Sequence, residues 1–454
     1  MKKIAIVLLA VFVLFSLAGC ASDGGNGGGS PAATERLVIY NWAEYIDEGD
    51  DESGRPGLIA AFEQYYFEQT GVRISVEYNT FETNEEMVTK AMVSDTEMDL
   101  ICPSEYTIQK LLINGMLREI NFDNIENSAN INTDILDTIS EVFGEIEGND
   151  GTKYDMTKYM VPYMWGTLGI LYNTEVVTEE DLAHGYGLLW NEGNNPKLNG
   201  KILMKDSVRD SYVAVVLYAK EQGLLPEKYD ALSIQDLINS VNKELLAVAE
   251  SLLLKQSGLL YGYEVDFGRD DMVKGNAYVD LAWSGDAIYA IESGLEEDVY
   301  LDYFVPEIGG NIWFDGWVIP KKVKNLRAAE MFINFMCDPV NAIYNMTYIG
   351  YTSAVDKEVL MENEEVLEIL EYYEYDPEEY FSDPIRYPEI TENMGVMKDF
   401  GKEADAVIMM WESIKPYKTT ELGIILGVII GAVALAAGIY FAVNRLKMRP
   451  RRVK

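Results

Sequence analysis

Histidine is almost missing: His184 is the single one in 454 residues. That removes His-based nucleophilic triads and most imidazole metal sites from consideration. Cysteine is nearly as scarce, with Cys20, Cys102 and Cys337. Cys102 lies in an apolar strand-like run and Cys337 near the end of a helix-like run. Both read more naturally as buried free thiols than as a bridge, although an outward-facing compartment would permit one. Positive charge is also short, with 36 basic residues against 75 acidic ones and a net charge of −39. Such a surface repels nucleic acid and anionic lipid and draws in cations. There is no cofactor motif and no short internal repeat. Catalysis therefore lacks its usual parts, and the chain reads as a non-enzyme.

The two ends of the chain carry membrane addresses. Lys2 and Lys3 precede the apolar run Ile4–Leu17, which closes in Leu17-Ala18-Gly19-Cys20. A charged start, an apolar middle and small residues before a cysteine mark a lipoprotein signal peptide over 1–19, with lipidation expected at Cys20. Residues 20–35, rich in glycine, form a flexible tether. At the far end Leu422–Val443 carries no charge and is long enough to cross a hydrocarbon core of about 30 Å. Arg445, Lys447, Arg449, Arg451, Arg452 and Lys454 follow it, so residues 444–454 are expected to be cytoplasmic and the body extracytoplasmic. All 75 acids lie in that body, while eight of the 36 basic residues lie in the two ends.

Within the body, apolar runs and helical patterns alternate. Leu37–Tyr40 reads as a strand buried on both faces. Leu58–Thr70 reads as a helix stopped by Gly71, and the alternation at Val72, Ile74, Val76 and Tyr78 as a second strand. A helix from Asn84, a strand Asp99–Cys102 and a helix Tyr106–Leu112 follow. Val161–Tyr172, Ile202–Met204, Val279–Trp283 and Trp317–Pro320 continue the series, with a helix Asn325–Met336. This spacing predicts an α/β layer with a parallel sheet, whose ligands collect beyond the carboxyl ends of the strands.

Several predicted strand ends offer an aromatic ring together with a carboxylate. Trp42 comes with Glu44 and Tyr45, Trp283 with Asp286, and Trp313 with Asp315. This suits an elongated ligand with a methylene middle and ammonium ends. Ring faces attract cations by roughly 0.5–2 kcal/mol each, and carboxylates give ammonium groups charge-assisted hydrogen bonds. A buried ammonium without such a partner costs several kcal/mol. Trp165 and Trp317 read as core, while Asp206 and Arg269-Asp270-Asp271 read as solvated or capping. The Glu-rich stretch Glu362–Glu379 reads as a solvated helix face.

In order and spacing the chain resembles the spermidine/putrescine-binding proteins of ABC transporters, from about Leu37 to about Ile414. The segments that carry the resemblance are Tyr40–Tyr45, Tyr78–Glu85, Val161–Gly166, Trp283–Asp286, Ile312–Asp315 and Ile349–Thr352. It implies a two-lobed type II periplasmic-binding-protein fold, with 36–166 and 311–355 in one lobe and 167–310 and 356–416 in the other. The crossings would fall near Gly166, Asn311 and Val355. It further implies that Trp42, Tyr45, Trp283, Trp313 and Tyr351 line a polyamine stem. Ser104 and Tyr106 would hydrogen-bond near one end, Asp210 and Asp315 would bind amines, and Glu44 would assist. Asp286 stands where putrescine-binding members place a carboxylate. Spermidine-preferring members have an acid at the position of Ser207, so the resemblance leans toward putrescine or a mixed preference. The inserted segment Asp47–Gly57 is a second departure. Its implied partners are putrescine or spermidine and the permease subunits of an ABC transporter. A membrane-anchored sensor signalling to a partner protein is the alternative from another class.

Overall fold

The computed structural model describes residues 34–50, 53–93 and 96–415. Cys20, the signal, the tether up to residue 33, the span 422–443 and the basic tail lie outside the described residues, whereas Thr34 and Glu35, expected to end the tether, already belong to the strand Thr34–Trp42. Among those described, no helix is long and apolar enough to cross a membrane.

One sheet runs through the whole body. Its strand order is Leu260–Glu264, Ile202–Lys205, Val279–Trp283, Met160–Asn173, Gly310–Val318, Leu100–Ile101, Thr34–Trp42 and Arg73–Phe81. The expected parallel pairing holds on both flanks, where Thr34–Trp42 runs alongside Arg73–Phe81 and Ile202–Lys205 alongside Leu260–Glu264. The centre is antiparallel, because Met160–Asn173 and Gly310–Val318 pass each other between the two flanks. Every residue of these two strands is buried.

That burial corrects the strand expected at Trp317–Pro320, which begins seven residues earlier at Gly310 and ends at Val318, with a bulge between Asp315 and Gly316. A strand buried on both faces loses the period-two alternation that would have revealed it. By contrast, the helix Leu58–Thr70 and its left-handed Gly71 cap fall where the pattern places them. The next helix, Asn84–Met92, is capped by the Thr83 side chain one residue earlier.

Two large cores fill the two lobes. The first gathers Leu37, Phe62, Phe81, Trp317 and Phe332, and the second surrounds the helix Val208–Glu221. A smaller cluster on the other face of the second lobe's sheet includes Leu203, Ala282 and Met272. The expected boundary at Val355 is displaced. Residues 356–396 stay with the first core through Leu360, Val366, Ile369, Leu370, Tyr380, Phe381 and Val396, and Met397 is the first to join the second. The acid-rich stretch hides an apolar stripe, Val366, Ile369 and Leu370, on the helix Glu364–Tyr372, which packs against Pro339–Ile349. A solvated-face reading misses such a stripe because four of that helix's nine residues are glutamate. Cys102 and Cys337 are both buried and free. The Asp47–Gly57 segment is pinned by Arg55, which pairs with buried Asp47 and lies 4.1 Å over the Tyr344 ring.

Candidate ligand-binding cleft

Trp42 ends a first-lobe strand, and Glu44 and Tyr45 follow it directly. Ser104 and Tyr106 open the helix Glu105–Ile113 beyond the strand Leu100–Ile101. Asp210 lies in the first turn of the helix Val208–Glu221, whose cap is the Ser207 side chain. Trp283 ends a second-lobe strand, and Asp286 sits in the first turn of the helix that follows. Trp313 and Asp315 come from a central strand. Tyr351 follows Gly350, whose φ of 80° ends the helix Pro339–Ile349 in the left-handed region. Its ring lies so close to Gly285 that a Cβ there would stand 2.2 Å from Tyr351 Cγ. All eleven side chains meet around one cavity of about 80 Å³ between the lobes. Through Glu44, Glu82, Asp206, Glu264, Asp266 and Arg269 it adjoins a wider cavity of about 1420 Å³, also lined by Glu48, Asp270 and Glu412.

Three rings of the aromatic wall, Tyr45, Tyr351 and Trp313, touch in series. Tyr351 makes edge contacts with Tyr45 at 4.9 Å and with Trp313 at 5.8 Å, and Trp42 leans on Phe81 at 4.7 Å. The indole nitrogens of Trp42 and Trp313 are buried without hydrogen-bond partners. Asn84 donates to Ser104 Oγ at 3.1 Å and to the Tyr106 hydroxyl at 2.8 Å, holding that end of the cleft.

The four carboxylates of the set divide into two kinds. Glu44 is paired with Arg269, an ion pair that joins the two lobes across the cleft. Asp286 accepts from Lys205 at 3.1 Å and from the Tyr351 hydroxyl at 2.8 Å, with Arg269 at 3.7 Å. Asp315 and Asp210 have no lysine or arginine partner among the described residues. Asp315 Oδ2 accepts from the Tyr45 hydroxyl at 3.0 Å, while its Oδ1 is buried without a hydrogen bond. On its side chain Asp210 accepts from the Ser207 hydroxyl and, at 3.3 Å, from the Trp283 indole. Burial pushes the Asp315 carboxyl up to about 7 and raises that of Asp210.

The sequence reading missed three cations here. Lys205 and Arg269, together with the acid Glu264, form the paired half of the site. Arg269, read as solvated, is 12% exposed at its side chain. Arg209 lies buried over the Phe400 ring at 3.4 Å and near that of Tyr106. Only Lys205 left a signal, since it stands at the carboxyl end of an apolar strand. Asp206, expected to be solvated, pairs with Lys415 at the edge of the wider cavity.

Burial also raises Glu105 to about 8. Unfolded, this acid and Asp315 lose their protons near about pH 4. Between there and about pH 8 the folded protein holds protons that the unfolded chain releases, so stability falls as pH rises. In a thermal scan the ligand-free protein is expected to melt at a higher temperature at about pH 5 than at about pH 8. A melting temperature that rises over that interval would contradict the assignment of these acids as buried and proton-holding.

A profile of the bacterial extracellular solute-binding protein family matches residues 57–366. The chain is 27% identical over 316 residues to a spermidine/putrescine-binding periplasmic protein of Escherichia coli, covering 69% of this chain and 76% of that one. It is also 27% identical over 347 residues to a putrescine-binding periplasmic protein of Pseudomonas aeruginosa, covering 75% and 81%. Among solved structures, a putative spermidine/putrescine ABC transporter protein from Listeria monocytogenes superposes with a TM-score of 0.65. It shares 29% identity over 85% of this chain and 100% of that one.

Proposed function

The chain belongs to the bacterial extracellular solute-binding protein family, and we propose that it captures a polyamine outside the cytoplasm and delivers it to an ABC permease. The observation that carries this reading is the pair Asp210 and Asp315, two buried carboxylates with no cation of their own, set among tryptophan and tyrosine rings. Two buried carboxyls without an ion-pair partner in an aromatic cleft suit a flexible dication, which would draw them into their charged form, better than a sugar, which wants mixed donors and acceptors. Asp210 and Asp315 bind the amines, Trp42, Tyr45, Trp283, Trp313 and Tyr351 line the methylene stem, and Ser104 and Tyr106 hydrogen-bond at one end. Glu44 acts through its clasp with Arg269, which forms as the lobes close. The binding cycle involves no covalent chemistry.

The relatives' names speak for transport, and the sensing alternative draws no support from them. Lipid on Cys20 and a span at Leu422–Val443 would hold the receptor near its permease, a reading that rests on the sequence patterns alone. Calorimetric titration of the full chain in detergent with putrescine, spermidine and maltose tests the assignment. Heat from the amines and none from the sugar is expected. Heat from maltose alone would end the polyamine reading.

A further inference from the structure

We propose that Lys205 biases the cleft toward ligands with fewer amines, because its own ammonium occupies a carboxylate site that a further ligand amine could use. The inference rests on the polyamine reading above and refines it.

Lys205 ends the strand Ile202–Lys205 and is 1% exposed. Its ammonium lies 2.6 Å from Glu264 Oε1 and 3.1 Å from Asp286 Oδ2. It donates to the Val265 carbonyl at 3.0 Å and sits 4.0 Å from the centre of the Trp283 ring. The ammonium therefore donates to Asp286 and the Val265 carbonyl and forms an ion pair with Glu264, with an aromatic face alongside. That is the full set of partners a primary alkylammonium ligand would seek on leaving water. Burial works against the charge, but Glu264, Asp286 and nearby Asp280 outweigh it and hold the ammonium protonated.

The consequence is competition for that site. Glu264 and Asp286 border the same cavity as Asp210 and Asp315, and Glu44, Glu82, Glu85, Glu105, Asp206 and Asp266 line it too. Lys205 reaches Glu264 and Asp286 from behind the lining and holds both, while Asp210 and Asp315 remain open to a diamine. A third ammonium of a triamine is kept from the site beside Trp283, because it would approach the lysine's like charge there.

The test is calorimetric titration of the full chain in detergent with putrescine and with spermidine. The wild type is expected to bind putrescine more tightly. In Lys205→Met the freed Glu264 and Asp286 can take the third ammonium, and the ratio of the two affinities should move at least about tenfold toward spermidine. Because that variant leaves two buried acids without a cation, Lys205→Met combined with Glu264→Gln serves as a charge-balanced companion, its folding checked by circular dichroism. It should shift the ratio in the same direction by a smaller factor. An unchanged ratio in either folded variant that still binds putrescine overturns the role of Lys205 and leaves the polyamine reading intact. So does a wild type that already prefers spermidine. No heat from any polyamine with the wild type defeats the polyamine reading itself and the inference with it.

Discussion

Replacing Asp315 with asparagine should weaken polyamine binding by roughly 100-fold, the largest loss from any single change in the cleft. Asparagine keeps the shape and can still accept the Tyr45 hydroxyl bond. What it removes is the negative charge that an arriving ammonium would meet. Truncating one member of a buried, hydrogen-bonded charge pair costs about 2–5 kcal/mol, and each 1.4 kcal/mol is about tenfold in affinity. Asp206→Asn provides the comparison. Its carboxylate is partly exposed and already paired with Lys415, so its loss should lower affinity by no more than about fivefold. Equal small losses from the two substitutions would show that Asp315 is not an amine ligand. The ligand-free Asp315→Asn protein should also be no less stable above neutral pH, since it no longer buries a charge without a cation. A binding site keeps such a group at some expense of stability.

The second large effect falls on stability. Trp317 is fully buried on the strand Gly310–Val318, with ring centres 4.7 Å from Tyr163 and 5.4 Å from Phe332. Trp317→Ala removes the largest fully buried side chain of the first core. Loss of transfer energy together with a residual cavity should cost about 3–5 kcal/mol. A lower urea midpoint at unchanged slope would report it. Trp317→Phe should be much milder. The indole N–H has no hydrogen-bond partner, so the smaller ring loses volume but also a buried orphan donor. Neither change touches the cavity lining, so the order of ligand preference should survive in the folded protein. A changed preference at unaltered stability would place Trp317 in the site after all.

These two residues stand two positions apart, and they show how far a sequence can be read. Trp317 is legible as core and Asp315 as an acid that solubility does not explain, because each follows from side-chain chemistry and immediate neighbours. Their shared strand is not legible. The segment Ile312–Gly316 looks like a loop until its partner Met160–Asn173 covers it and buries both faces. Distance along the chain hides Lys205 in the same way. It precedes Asp286 by 81 residues, and nothing local says that the two carry opposite charges into one contact. The stretch 356–396 reads as the second lobe by position, yet its buried stripe assigns it to the first.

The sequence by itself determined the class of the fold, the helix Leu58–Thr70 with its glycine stop, and the ring-and-carboxylate groups at Trp42, Trp283 and Trp313, while Ser104, Tyr106, Asp210 and Tyr351 came from the family resemblance. Periodicity and residue type are local properties, and they survive without knowledge of what lies across the sheet. Only the tertiary structure decided which acids have a cation and which do not. Ion pairing is a matter of a few ångströms between residues distant in the chain. Lys205 on Asp286 and Arg269 on Glu44 therefore leave Asp210 and Asp315 as the two without an ion pair among the four carboxylates that the sequence reading assigned to the ligand.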